Sequence, residues 1–150
     1  MTQNNGDPVL SALAEQVECY RRLSKLAAIQ HEHVRQSRTE QLLEVLKARQ
    51  GVLEQIATHE QTVAPAKRQW ADYVARLAPA DRELAERLLA ETRTLLQQIT
   101  AADQDDALVL QQRKLNLGRE INRATTARQV NRNYVTAAYG TPRPRVDVQQ

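Results

Sequence analysis

The chain has 150 residues, the size of one ordinary domain, and hydrophobic residues make up 41% of it. Aromatic residues amount to only 3%, with one Trp and no Phe, so a core has to be built from aliphatic side chains. Four Gly and five Pro leave few breaks, and the remaining composition favours helix, which predicts an all-α protein. The net charge of +3 is small for a chain of this length.

Membrane and secretory signals are missing from the sequence. No run approaches the ~18 apolar residues that a membrane span needs, and the first ten residues, MTQNNGDPVL, have neither a basic nor an apolar signal region. The single cysteine, Cys19, has no partner for an internal disulfide. We therefore expect a cytoplasmic protein without direct membrane insertion.

Four helices are predicted from the spacing of apolar residues, over about 8–36, 39–62, 65–77 and 79–137. The first begins at Asp7-Pro8, because Asp caps helices well and Pro suits the first turn. Ser37 to Glu40 supplies capping residues for the second. Pro65 should end or kink that helix, since it lacks an N–H and clashes with the preceding turn. The short helix with Trp70 is expected to plug the open end of a hairpin.

Each long helix has an apolar face at the three-then-four spacing that indicates burial. The expected core residues are Leu10, Leu13, Val17, Tyr20, Leu23, Ala27 and Val34, then Leu42, Leu46, Leu53 and Ile56 with Leu43 and Val52, then Leu84, Leu88, Leu95 and Ile99. The acidic cluster of Asp103, Asp105 and Asp106 is the weakest point of the last helix. It is compatible with a bend or with a short break.

Together these elements predict a long antiparallel helical hairpin or three-helix bundle with coiled-coil-like packing and a projecting C-terminal helix. Residues 1–140 should form a single helical domain, and residues 141–150 a disordered tail rich in Pro and Arg. The reason for the projection is length. At 1.5 Å per residue the last helix is up to roughly 85 Å long, against roughly 45 Å for the first.

In the last part of this helix, from Ala107 to Gly140, one face of the helix can be followed along the chain. Its residues are apolar at first and become polar further on. The face consists of Leu110, Leu117, Ile121 and Ala124, followed by Arg128, Asn131, Val135 and Ala138. If the last ~25 residues overhang, apolar side chains there are left partly bare. Such residues indicate a partner, a self-partner or a tail that folds on binding.

Catalytic, cofactor and metal sites are not predicted. His31 and His33 are two residues apart and point to different sides of a helix, and His59 stands alone, so we expect three solvated histidines. The carboxylate pairs Glu40/Glu44 and Asp105/Asp106 are expected on solvated helix surface. There is no Gly-rich phosphate loop and no nucleophile turn, so the chain is not expected to be an enzyme.

Basic residues are concentrated at the C-terminal end. Between positions 111 and 150 there are eight basic and two acidic side chains. A basic tail invites a nucleic-acid interpretation. On a helical wheel, however, Arg119 and Arg123 fall nearly opposite Arg128 and Arg132, so no continuous basic stripe follows a phosphate backbone. Nucleic acid is therefore not the expected partner.

The order of these pieces resembles the FlgN-type flagellar type III export chaperones (FlgN/FliT-like). The matching features are Tyr20-Arg21-Arg22-Leu23 in the first helix, the Leu-rich second helix from Gln41 to Ile56, the step Gln129-Val130-Asn131-Arg132-Asn133, and the pair Tyr139-Gly140. The resemblance covers most of residues 10–140. The C-terminal step followed by Tyr-Gly is its most specific part.

The resemblance implies a small cytoplasmic escort, without cofactors, for the C-terminal helices of hook–filament junction proteins, which it delivers to the export gate. The residues it places against the client are Leu117, Ile121, Ala124, Val130 and Tyr134. Tyr139 matches the family tyrosine that engages the cytoplasmic domain of the gate. Three alternatives stay open: a structural helical homodimer or adaptor, a filament-cap-type export chaperone, and a basic-tailed nucleic-acid binder.

Overall fold

The computed structural model describes residues 6–139, and the described chain is built from α-helices without strands. The helices are α1 (Pro8–Arg35), α2 (Thr39–Arg68), α3 (Trp70–Ala75) and α4 (Pro79–Tyr139). The prediction of an all-α protein is confirmed, whereas coiled-coil-like packing and a projecting C-terminal helix stay predictions. No helix within the described range is both long and apolar enough to span a bilayer. The chain separates into two compact units, one ending at Val109 and the other beginning at Leu110.

The start of α1 agrees with the expected cap. The Asp7 carboxylate accepts hydrogen bonds from the backbone N–H groups of Val9 (2.9 Å) and Leu10 (3.1 Å), which have no partner inside the helix. Its second oxygen accepts a hydrogen bond from the Tyr73 hydroxyl at 3.2 Å. Burial and the neighbouring Asp7 carboxylate raise the pKa of Tyr73 well above its usual value. Asp7 thus ties α3 to the beginning of α1.

The connection between α1 and α2 is a tight turn. Ser37 adopts a positive φ of 57°, and the N–H of Arg38 donates to the carbonyl of His33 at 2.9 Å, which satisfies one of the last carbonyls of α1. α2 begins at Thr39, as predicted, but the cap residue is Arg38 and its side chain makes no capping bond. The expected side-chain cap is therefore wrong, and the turn itself positions α2.

The first core cluster lies where α1, α2, α3 and α4 meet in the N-terminal unit. It contains Leu10, Ala12, Leu13, Val17, Val63, Tyr73, Ala85 and Leu88. Trp70, Val74 and Leu77 are half-buried and pack against this cluster, so the short helix covers one end of the hairpin as predicted. The apolar face predicted for α1 is buried at six of its seven positions, and Tyr20 is half-buried.

The buried face of α2 differs from the prediction. Val45, Ile56 and Val63 are its buried residues, whereas Leu46 and Leu53 are more than 40% exposed. Ile56 belongs to a second cluster with Cys19, Leu23, Ala27 and Ile99, against which Val52 packs. Ile56 is thus buried as predicted, whereas Val45 rather than Leu46 faces the core, because α2 has apolar side chains on more than one side and the neighbouring helices select among them.

Pro65 does not end α2 but lies in its last turn. The helix continues through it to Arg68. Pro65 cannot donate to the carbonyl four residues earlier, but Val63 beside it is fully buried in the first cluster. Packing of this turn therefore outweighs the lost hydrogen bond, and the break falls at Gln69 instead.

A buried glutamine joins α1 to α2. Gln16 is 0% exposed, and its Nε2 donates to the Ile56 carbonyl (3.3 Å) and to Glu60 Oε1 (2.8 Å). Glu60 also accepts from Lys67 Nζ at 3.1 Å. Burial by itself would raise the pKa of Glu60, but the bonds from Gln16 and Lys67 prevail and hold it below its ordinary value of 4.5.

This carboxylate gives a pH-dependent contribution to stability. Because the pKa of Glu60 is lowered in the folded state, its contribution is present above pH 4.5 and is lost as the pH falls through the folded value. The free energy of unfolding in urea should be measured for the wild type and for Glu60→Gln between about pH 7 and pH 3. It should fall less steeply with decreasing pH in the variant. Equal slopes for both proteins would contradict the assignment.

Candidate functional site

The C-terminal unit presents apolar side chains along an α-helix from Leu110 to Tyr139. Among the predicted client-binding residues, Leu117 (57%), Ile121 (56%), Val130 (61%) and Tyr134 (72%) are largely exposed, and Ala124 is exposed as well. Leu110, Leu115 and Val135 add to the apolar surface. Large apolar side chains left exposed along thirty residues of helix favour a binding surface.

These residues lie on two sides of the helix. At about 100° per residue, Leu117, Ile121 and Ala124 share one side, and Val135 continues it. Val130 follows Ile121 by nine residues, which places it on the opposite side, whereas Tyr134 lies between the two sides, about 100° from Leu117. One partner helix lying along α4 therefore cannot contact all five predicted residues, although each of them is exposed.

Tyr139, the predicted gate-binding residue, is the last residue of α4. Its side chain, Gly140 and the tail of residues 141–150 lie outside the described residues. The gate-binding role of Tyr139 stays a prediction.

A second feature, in the N-terminal unit, is a polar cluster that the sequence did not reveal. Asp106 is 2% exposed, and α4 runs through it without a break. Its carboxylate accepts a hydrogen bond from Gln30 Nε2 at 3.0 Å and pairs with His31 Nδ1 at 2.6 Å. The expectation that Asp106 is solvated helix surface is wrong. The helix has no break at the acidic segment, and two of its carboxylates, Asp103 and Asp106, have partners on α1 and α2.

Arg49 of α2 completes the cluster. Its guanidinium donates to both carboxylate oxygens of Asp103 at 2.8 Å and to Gln30 Oε1 at 2.6 Å. The hydrogen bond from Arg49 to Asp103 raises the pKa of the guanidinium above its ordinary value, against the opposing effect of burial. Three helices are thus fixed in register by one connected set of polar side chains. A signal was present in the sequence, because Asp103 and Asp106 continue the core spacing from Ile99.

The three histidines were predicted to be solvated, but all three are half-buried. His31 pairs with Asp106, and His59 Nε2 lies 3.3 Å from Glu15 Oε1. His33 Nδ1 is buried and has no hydrogen-bond partner. Within residues 6–139 there is no group of three or more His, Cys, Asp or Glu side chains that could hold a metal ion.

An open groove of about 470 Å³ runs along α1 and α2 beside Cys19. Arg22 Nη2 lies 3.1 Å from the Cys19 sulfur and donates to Gln55 Oε1 at 2.7 Å. The thiol is buried at 2% exposure. Since Arg22 and Gln55 satisfy each other across the groove, these side chains join the two helices.

Comparison with protein-family models, with curated proteins and with solved structures gives no match to this chain.

Proposed function

We propose that this protein is a chaperone of the flagellar type III export kind, which holds amphipathic client helices against residues 110–139. It acts in the cytoplasm, without catalysis or a cofactor. The observation that carries the proposal is the exposure of Leu117, Ile121, Val130 and Tyr134 on a helical segment. The resemblance to FlgN-type chaperones supplies the class of client, the C-terminal helices of hook–filament junction proteins.

Helix recognition explains why apolar side chains occupy these positions. A client helix that lays its apolar face on α4 removes aliphatic surface from water on both partners. Burying a Leu or Ile side chain contributes about 1.5–3 kcal/mol, so a few such contacts suffice for specific binding. Nothing in this mode needs a reactive group.

The two-sided arrangement bears on how many client helices take part. Leu117 and Ile121 face one way, and Val130 faces the other, so full coverage needs two helical stretches. A client that presents more than one C-terminal helix fits this requirement. The two client helices then lie on opposite sides of α4, one against Leu117 and Ile121 and the other against Val130.

Hydrogen exchange tests the proposal on the full-length protein, alone and with the C-terminal segments of hook–filament junction proteins. We expect amides of residues 110–138 to exchange fast in the free protein and to become protected with client. The double variant Leu117→Asp/Ile121→Asp should weaken client binding by roughly 100-fold, because charges replace two central apolar contacts.

The control is Leu43→Asp, which puts one such charge at a leucine of α2 that is 60% exposed. It should bind client like the wild type. Two results would contradict the proposal: residues 110–138 already protected in the free protein and unchanged by client, or equal loss of binding in the control. The first of these, with a concentration-dependent dimer, would favour the structural homodimer.

A further inference from the structure

The C-terminal unit is strongly basic as well as apolar. Between Leu110 and Tyr139 there are six basic residues and one acid, Glu120, so the segment has a net charge of +5. The basic residues are Arg113, Lys114, Arg119, Arg123, Arg128 and Arg132. Among the residues that the structure describes, Lys114, Arg128 and Arg132 form no ion pair, and all three are exposed. Their charge is available to a partner.

Two of these charges lie within the apolar face rather than behind it. Lys114, Ile121, Arg128 and Val135 follow one another at intervals of seven residues, and Leu117 and Ala124 occupy the positions three residues after Lys114 and Ile121. This is the spacing of the inner positions of a two-helix seam. Of the four inner positions spaced by seven residues, two are therefore basic, Lys114 and Arg128.

Basic side chains at a seam determine which partner fits. If a partner buries Lys114 and Arg128 without opposite charges, the two cations lose their hydration. The aliphatic contacts then have to offset this desolvation cost. Carboxylates on the partner, beside its own apolar stripe, remove that cost and add charge-assisted hydrogen bonds. A second copy of this chain brings +5 against +5 and, in a parallel pairing, sets Lys114 against Lys114 and Arg128 against Arg128.

We infer that the face of Lys114, Leu117, Ile121, Ala124, Arg128 and Val135 takes an acidic amphipathic helix of another protein, with carboxylates opposite Lys114 and Arg128. The inference rests on the proposed function and adds the charge of the client helix to it. Binding then combines aliphatic burial with ion pairs, and the two inner cations fix the register of the partner helix over about 14 residues, roughly 21 Å.

Designed peptides test this with the full-length protein. Three peptides of about 28 residues share one Leu/Ile stripe and carry Glu, Gln or Lys at the positions that flank it. Their dissociation constants are measured by fluorescence anisotropy at about 50 mM and 500 mM salt. We expect the Glu peptide to bind at least ~10-fold more tightly than the Gln peptide at low salt, with the difference shrinking at high salt because exposed charges are screened.

Charge-reversal variants show which side of α4 is responsible for the preference for the Glu peptide. The variant Lys114→Glu/Arg128→Glu should prefer the Lys peptide over the Glu peptide. The variant Arg119→Glu/Arg123→Glu makes the same change in net charge on the opposite side of α4, and it should keep the wild-type preference. Equal loss in both variants would overturn the inference, because the effect would then follow net charge rather than this face.

The remaining outcomes separate the inference from the proposed function. If the Glu and Gln peptides bind equally well, helix binding stands and the acidic partner is wrong. If none of the peptides binds and the free protein dimerises through this face, both proposals fail and the occupant is a second copy.

Discussion

Replacing Leu13 by alanine is expected to lower the free energy of unfolding by about 3 kcal/mol. Leu13 is 1% exposed, and the cluster around it joins residues of all four helices of the N-terminal unit. Truncation removes three carbon atoms from a site that the surrounding helices hold open, so the loss of apolar burial and the cavity both contribute.

Urea denaturation followed by circular dichroism measures this change, as a lower midpoint at an unchanged slope. Leu43→Ala is the control, because that leucine is 60% exposed on α2 and should change the unfolding free energy by less than about 0.5 kcal/mol. A loss below about 1 kcal/mol for Leu13→Ala would mean that the cluster does not pack as described.

Asp106→Ala is expected to destabilise the protein by about 2–3 kcal/mol. The carboxylate is 2% exposed, and its removal leaves Gln30 Nε2 without its best acceptor and His31 Nδ1 without its partner. Buried donors that lose a charged acceptor cost about 1.5–3 kcal/mol, and the alanine also leaves a small void.

Asp105→Ala is a control one residue away, since Asp105 is exposed, and it should change the unfolding free energy by less than about 0.5 kcal/mol. A double-mutant cycle between Gln30→Ala and Asp106→Ala should give a coupling of about 1 kcal/mol or more, because the two side chains share a hydrogen bond. Additive effects would show that Asp106 acts through packing alone.

The sequence was sufficient where a structure depends on near neighbours along the chain. The Asp7 cap, the start of α1 at Pro8 and the α1 face from Leu10 to Val34 all follow from spacing within a few residues. The exposure of Leu117 and Ile121 was also expected, from the length of the last helix. The division of the predicted client residues between two sides could have been deduced as well, because nine residues separate Ile121 from Val130.

The sequence was insufficient where residues far apart along the chain decide which side chains are buried. α2 carries Leu, Val and Ile on several sides, and only its neighbours decide that Val45 rather than Leu46 is buried. Asp103 and Asp106 find their partners 54 and 76 positions away, at Arg49 and Gln30. An acidic run read by itself indicates solvent, so the buried cluster was missed. Pro65 was expected to end or kink α2, and the helix continues through it to Arg68 because tertiary packing holds this turn.

Cys19 gives the molecule a chemical reporter of its own. It is the one cysteine in the sequence, the residue is 2% exposed, and Arg22 and Gln55 contact its sulfur. A thiol reagent reaches it through the groove only after Arg22 and Gln55 move aside, so the labelling rate measures local opening between α1 and α2. The client-binding substitutions lie beyond Val109. If such a variant is labelled at the wild-type rate, its loss of client binding arises at the substituted surface and not from a destabilised core.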